Sequence, residues 1–292
     1  MKCSLCPRRC NAERTNDKNL YGFCKMPLLP KVARAALHFW EEPCISGKNG
    51  SGTVFFSGCT LDCVFCQNYD ISHGGFGKII THQRLADIFK ELEEKGAHNI
   101  NLVTPTHFVP AIIRALDIYK PKIPIVYNSG GYDSSEEIKA LKSYIDIFLM
   151  DLKYLSGERA ALYSGVPDYP EYALAAIKEC YKQQPVCDFR DGIMQKGLIV
   201  RHLLLPQGTN EALKVCDWVR NNIPNAYFSI MSQYTPCGRA ENMPIINRGV
   251  TKREYEKVLI HICDSGFENV YIQERESSGK KYIPTFDLEG VQ

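Results

Sequence analysis

From Thr53 onward the chain alternates short runs rich in β-branched and aromatic residues with longer amphipathic stretches, and this alternation restricts the fold more than any single motif. The runs TVFFS, NINLV, IPIVY, IDIFLM, GLIVRHLLL, AYFSIM and NVYIQ read as strands. Between them lie HQRLADIFKELEEKG, FVPAIIRALDIY, SSEEIKALKSY, YALAAIKECYKQ, NEALKVCDWVRNN and TKREYEKVLIHICDSG, which read as helices. In the first of these Leu85, Ile88, Phe89 and Leu92 recur on one face, and Gly96 stands where the helix should stop. Strand followed by helix, repeated, predicts an α/β fold with a parallel sheet and helical crossovers. Periodicity does not tell a barrel from an open sheet. In both geometries ligands gather at the carboxyl ends of the strands.

Composition narrows the class. A chain of 292 residues with 45% hydrophobic and 11% aromatic content can bury a full core. Lys plus Arg at 35 against Asp plus Glu at 33 leaves a net charge of +2, and no basic run offers a footprint for nucleic acid. The start, MKCSLCPRRC, has no apolar region of signal-peptide type, and apolar runs such as GLIVRHLLLP are short, so neither a leader nor a membrane span is expected. The expected location is the cytoplasm. In that setting 13 cysteines point to metal or catalysis more than to disulfides.

Seven of the cysteines fall in two groups: Cys3, Cys6, Cys10 and Cys24, then Cys59, Cys63 and Cys66. The second group has the spacing C-x3-C-x2-C directly after the strand TVFFS. Three thiolates hold three irons of a 4Fe-4S cluster and leave the fourth open, whereas a structural zinc site recruits four ligands and closes. Other strand ends are equally polar: TPTH (104–107), NSGGY (128–132), DLKY (151–154), and Arg201 with His202 inside an apolar run. A charged Arg201 in such a strand requires a buried anionic partner.

The C-x3-C-x2-C spacing, with Phe65 before the third cysteine and a strand before the loop, resembles the radical S-adenosylmethionine superfamily. Together with CSLCPRRC, NINLVTPTHF, PIVYNSGGY and LIVRHLLLP it is similar to a subgroup related to the pyruvate formate-lyase activating enzymes, over roughly Thr53 to Asp264. The resemblance implies a partial (β/α)6 TIM-like barrel of parallel strands. It implies a 4Fe-4S cluster on Cys59, Cys63 and Cys66 whose open iron is chelated by S-adenosylmethionine. Reductive cleavage then yields a 5′-deoxyadenosyl radical that abstracts hydrogen. For the cofactor it implies Phe65 beside the cluster and Thr104 and Thr106 where the family usually carries Gly-Gly-Glu for the methionine amino group. Asn128 and Ser129 would serve ribose or carboxylate, Asp151 and Lys153 the methionine portion, Arg201 the carboxylate, and Leu203 the adenine through its backbone. A plain helix N-terminus with Thr106 as N-cap is the alternative reading of TPTH.

The N-terminal quartet, C-x2-C-x3-C-x13-C, supplies the four ligands that the central motif lacks, and so predicts a second site of zinc or iron–sulfur type. We divide the chain into a cysteine-rich, metal-binding extension over 1–50 and a core domain over 51–292. The expected activity is that of a glycyl-radical-enzyme activator, taking hydrogen from a partner protein and served by a low-potential donor such as flavodoxin or ferredoxin. The alternatives are radical chemistry on a small molecule or another peptide, and a non-catalytic iron–sulfur electron-transfer protein. In the loop MSQYTPCGRAENMP, Tyr234, Thr235 and Arg239 are candidate substrate contacts.

Overall fold

The computed structural model describes residues 2–16, 22–273 and 284–292; the stretch 17–21 of the cysteine-rich segment lies outside the described residues. Among the described residues the strands are β1 (Lys31–His38), β2 (Ser51–Phe56), β3 (Lys78–Ile79), β4 (Ile100–Val103), β5 (Ile125–Ser129), β6 (Ile147–Asp151), β7 (Asp188–Arg190), β8 (Ile193–Leu203), β9 (Tyr227–Met231) and β10 (Val270–Ile272). The helices are α1 (Pro43–Ser46), α2 (Tyr69–Ser72), α3 (His82–Glu94), α4 (Val109–Ile118), α5 (Ser135–Ala140), α6 (Gly157–Ser164), α7 (Tyr169–Gln183), α8 (Thr209–Asn222) and α9 (Lys252–Asp264).

The strands form one sheet in the order β10-β9-β8-β6-β5-β4-β2-β1-β3. From β2 to β10 every neighbouring pair is parallel. β1 adds antiparallel to β2, β3 to β1, and β7 to β8. The order ends in β10 on one side and β3 on the other, so the sheet is open. The seven predicted strands and six predicted helices are all present. β1 was not foreseen, because KVARAALH carries three alanines and lacks the aromatic content of a strand. It makes the sheet begin before Ser51.

Alternation along the strands gives the sheet two unlike faces. One carries Val54, Phe56, Leu102, Tyr127, Phe148, Val200 and Phe228 and packs under the helices with Leu85, Phe89, Ile112, Ile177 and Val215. On the opposite face Val126, Ile147, Leu149 and Ile199 pack against Cys44 and Ile45 of α1 and against Met194. α1 has only four residues and begins at a proline, which suits the first turn of a helix. Its approach is what brings the preceding Glu41 and Glu42 to the sheet.

Candidate active site

The thiol loop leaves the carboxyl end of β2. Gly58 has φ +83, and a Cβ there would stand 2.4 Å from Met26 Cγ and 3.0 Å from the Cys24 carbonyl, so only glycine lets the N-terminal segment pack on the loop. Cys63 Sγ lies 3.0 Å from Ser164 Oγ, and Cys66 Sγ lies 3.4 Å from Ser72 Oγ. The amide of Leu61 donates to Cys59 Sγ at 3.4 Å. Ser164 also meets the Tyr154 hydroxyl at 3.0 Å. Phe65 is buried and packs edge-on against Tyr234, with ring centroids 5.8 Å apart.

Burial pushes all three thiols up, Cys63 to about 11, and the charges of neighbouring cysteines add to the rise. Lys153 pulls each of them back down. Buried thiolates need a positive partner to persist, and the charged core of an iron–sulfur cluster is one. Among the described residues no three His, Cys, Asp or Glu side chains are already drawn into ligating geometry; the thiols are neighbours rather than a finished ligand set. In donor chemistry and position they fit a cluster with one open iron.

Lys153 begins a chain of nearly buried charges. Its Nζ donates to Asp151 Oδ2 at 2.7 Å, and Arg201 Nε donates to Asp151 Oδ1 at 2.8 Å. Arg201 Nη1 donates to Glu41 Oε2 at 3.0 Å and Nη2 to Asn128 Oδ1 at 2.7 Å. Asn128 Nδ2 and Asn101 Nδ2 both donate to Glu41 Oε1, at 3.1 and 3.3 Å. Burial would raise Asp151, but Arg201 and Lys153 outweigh it and hold the carboxyl below its usual range. Burial would lower Arg201 and Lys153, and their carboxylate partners hold both up. The anionic partner that Arg201 required is therefore present threefold, in Asp151, Glu41 and the more distant Glu42 at 3.9 Å. The turn beside it needs glycine too: Gly131 has φ +86, and a Cβ there would meet the Asp151 carbonyl at 2.1 Å.

The structure brings Asn128, Asp151, Lys153 and Arg201 together, and Leu203 follows Arg201 on the same face of β8. It does not add Ser129 or Thr106 to that group. Ser129 donates to Asp133 Oδ2, Tyr127 donates to Asp133 Oδ1 at 2.7 Å, and Thr106 Oγ1 sits 3.4 Å from Ser129 Oγ, all on the helix side of β5. Thr106 is not an N-cap either; Pro105 precedes the short 3-10 turn Thr106–Phe108, and no side chain caps it. Thr104 takes φ +59, and its amide donates to the Asn128 carbonyl at 2.9 Å. Tyr234 is buried with its hydroxyl on the Ile246 carbonyl, and Arg239 pairs with Asp62, so both tie the loop after β9 onto the thiol loop.

Cys3, Cys6, Cys10 and Cys24 lie close enough to act on one another electrostatically; burial pushes Cys6 up to about 12 and also raises Cys24. The segment is tied to the site by Arg8 Nε on the Thr60 carbonyl at 2.9 Å and Arg14 Nη1 on the His107 carbonyl at 2.7 Å. Sequence reasoning missed Glu41, Glu42, Asn101, Ser164 and Ser229. The dipeptide Glu41-Glu42 before Pro43 was a signal, but acids before a helix are ordinary and are absorbed by that role.

The family model described as the radical SAM superfamily matches residues 53–194, which include the thiol loop and Asp151. An uncharacterized protein of Methanocaldococcus jannaschii, MJ0674, is 32% identical over 266 residues, covering 88% of this chain and 73% of that protein. The chain belongs to the radical SAM superfamily. Solved structures agree in fold. SuiB of Streptococcus suis superposes with a TM-score of 0.53 at 14% identity, covering 77% of this chain and 48% of SuiB. HydG, a maturase of the FeFe-hydrogenase, gives 0.51 at 14% identity over 74% of this chain and 48% of HydG. This radical SAM chain spans about half the length of those structures. Among the described residues no helix is long and apolar enough to cross a membrane.

Proposed function

We propose that this radical SAM protein is an enzyme that cleaves S-adenosylmethionine reductively and takes hydrogen from a partner protein, in the manner of a glycyl-radical-enzyme activator. The observation that carries the reading is the continuous chain from the thiol loop through Lys153 and Asp151 to Arg201. An electron carrier alone has no use for such a chain, which disfavours the electron-transfer alternative.

A 4Fe-4S cluster with S-adenosylmethionine on its open iron would supply the reducing electron and the 5′-deoxyadenosyl radical. The protein's own residues do the rest. Cys59, Cys63 and Cys66 would hold the cluster, with Ser164 and Ser72 orienting two of the sulfurs. Asp151 and Lys153 would hold the methionine zwitterion and Arg201 its carboxylate, with Asn128 as the hydrogen-bonding partner of Arg201. Thr104 presents its carbonyl and hydroxyl to the amino group, and Leu203 its backbone to adenine. Phe65 against Tyr234 keeps water from the reacting centre.

Curvature of the sheet as a partial (β/α)6 barrel is supported by Glu41, whose carboxylate meets Asn101 on β4 and Arg201 on β8. Those strands stand three positions apart, roughly 14 Å if the sheet were flat. A concave face shortens that span. The cysteine-rich extension over 1–50 would hold zinc or a second cluster on Cys3, Cys6, Cys10 and Cys24. Its docking on the thiol loop suits electron entry from a flavodoxin or ferredoxin. A protein substrate is supported by a surface cleft of ≈ 450 Å³ lined by Gln67, Asp70, Gly74, Phe76 and Thr285, next in sequence to Cys66. The solved SuiB with its precursor peptide shows the same fold.

The test is anaerobic reconstitution followed by reduction with dithionite. Wild type should form 5′-deoxyadenosine, and Cys59→Ala, Cys63→Ala or Cys66→Ala should each abolish it. Formation that persists in any one of the three variants overturns the radical reading.

A further inference from the structure

The chain of charges does not end balanced. Among the described residues Glu41, Glu42 and Asp151 face Arg201 and Lys153, three carboxylates against two cations. Glu42 is 4% exposed, and its Oε2 has no hydrogen-bond partner. Ser229 on β9 stands beside it and eases its ionisation, yet Ser229 Oγ is also without a formed hydrogen bond. On the other flank of Glu41, Asn101 gives its Nδ2 to that carboxylate, which fixes the amide orientation and leaves Asn101 Oδ1 as a buried acceptor without a donor. Both Asn101 and Ser229 are fully buried. Buried acceptors without donors are costly, and Glu42 Oε2 and Asn101 Oδ1, two of them at one acidic pair, are a demand for donors.

The two neutral groups, Asn101 and Ser229, flank the acidic pair. They lie on β4 and β9, on the same sheet face as Asn128 and Arg201 by the strand register. When Arg201 turns to a cofactor carboxylate, Glu41 and Glu42 lose part of its charge and the excess grows. We propose that this face is a subsite for a cationic, donor-rich group of the substrate, a primary ammonium or a guanidinium, received by Glu42 with Ser229 and Asn101. The assignment rests on the radical-enzyme reading and names the class of substrate for it. An ammonium brings three donors and one positive charge, the two things the site lacks. Burial raises Glu42's pKa more than Arg201 restores it, and Glu41 adds to the rise, so a second cation beside this carboxyl would favour its ionised form.

The experiment uses the reconstituted holoenzyme and n-butylammonium as probe, with n-butanol as its neutral counterpart. Affinities are read by titration calorimetry in two buffers and by saturation-transfer NMR. Wild type should prefer butylammonium by about tenfold or more, and Glu42→Gln should lose that preference. If Glu42→Gln fails to fold, Ser229→Ala, which removes the hydroxyl beside Glu42, should weaken the probe severalfold. Equal affinity for ammonium and alcohol, as water-filled sites would give, overturns the proposal. An unchanged preference in a folded variant does the same, and so does competition between the probe and S-adenosylmethionine, which would assign the acids to the cofactor. Formation of 5′-deoxyadenosine by wild type is scored separately, so selective probe binding without cofactor cleavage would sink the radical reading and keep the cation subsite.

Discussion

Asn128 and Ser129 are consecutive on β5, yet they belong to different parts of the molecule. Successive side chains on a strand point to opposite faces, so Asn128 joins Glu41 and Arg201 while Ser129 joins Asp133 under the helices. The same rule places Arg201 and Leu203 together. Asp151 is central because its two oxygens each hold a different cation. Removing it leaves Lys153 buried without its carboxylate and Arg201 with Glu41 and Glu42 alone, and removing Arg201 strands Glu41 and Glu42. Asp151→Ala and Arg201→Ala should therefore bind S-adenosylmethionine about ten- to hundredfold more weakly while the iron–sulfur absorption spectrum stays as in wild type. Equilibrium binding checks the first and ultraviolet–visible spectra the second. Full affinity in both variants would remove these residues from the cofactor site.

At the scale of elements, short pieces carry much of the positioning. α1 spans four residues, but its contact with Val126, Ile147 and Ile199 is what delivers Glu41 and Glu42 to the sheet. The cysteine-rich segment has few apolar side chains of its own and is held by Arg14, which donates to the carbonyls of Met26, Pro27 and His107. If its four thiols bind metal, a protein lacking Cys59, Cys63 and Cys66 should still contain one zinc or one cluster per chain by elemental analysis and Mössbauer spectroscopy. A metal-free result would leave the quartet as free thiols or a redox pair. α9 starts with a complete capping box between Thr251 and Glu254. Thr251→Ala should cost about 1 kcal/mol of stability, read as a lower denaturant midpoint at unchanged slope.

For the whole molecule, two buried histidines set the acid limit. His107 donates from Nε2 to the Ser57 carbonyl at 2.7 Å, and His202 donates from Nδ1 to the Leu152 carbonyl at 2.7 Å, so both rings are neutral. Burial pushes His107 down to about 3 and lowers His202 as well. A depressed folded-state pKa contributes stability that is complete above the unfolded value near 6.5 and is lost as pH falls toward the folded value. Below about pH 6.5 the unfolded chain binds one more proton at His107, a loss of about 1.4 kcal/mol per pH unit, and His202 adds to it in the same direction. Asp133 and Glu42, raised by burial, take up protons first in the folded state and offset part of it. Urea denaturation between pH 6.5 and 4.5 should show this decline, and His107→Gln should flatten it by about 1.4 kcal/mol per pH unit. An unchanged slope in that variant would mean His107 is not the titrating group.

The order of strands and helices, the thiol loop, and the strand ends bearing Asp151, Lys153 and Arg201 could all be read from the sequence. Each depends on local spacing: period two or 3.6 for the elements, and position after an apolar run for the loop. What lay beyond reach depends on contacts between distant parts of the chain. β1 is a strand because it pairs with β2, not because its alanine-rich sequence favours extension. Ser129 ends β5 but lies on its helix side, which the register of β5 against its neighbours decides, and Thr106 meets it there from the 3-10 turn beyond β4. Glu41 and Glu42 reach Arg201 across 160 and 159 positions of chain, and no local pattern records such a pairing. Local propensity thus determined which elements form and which residues stand at their ends, while tertiary packing alone decided which of those side chains share a buried face and balance one another's charge.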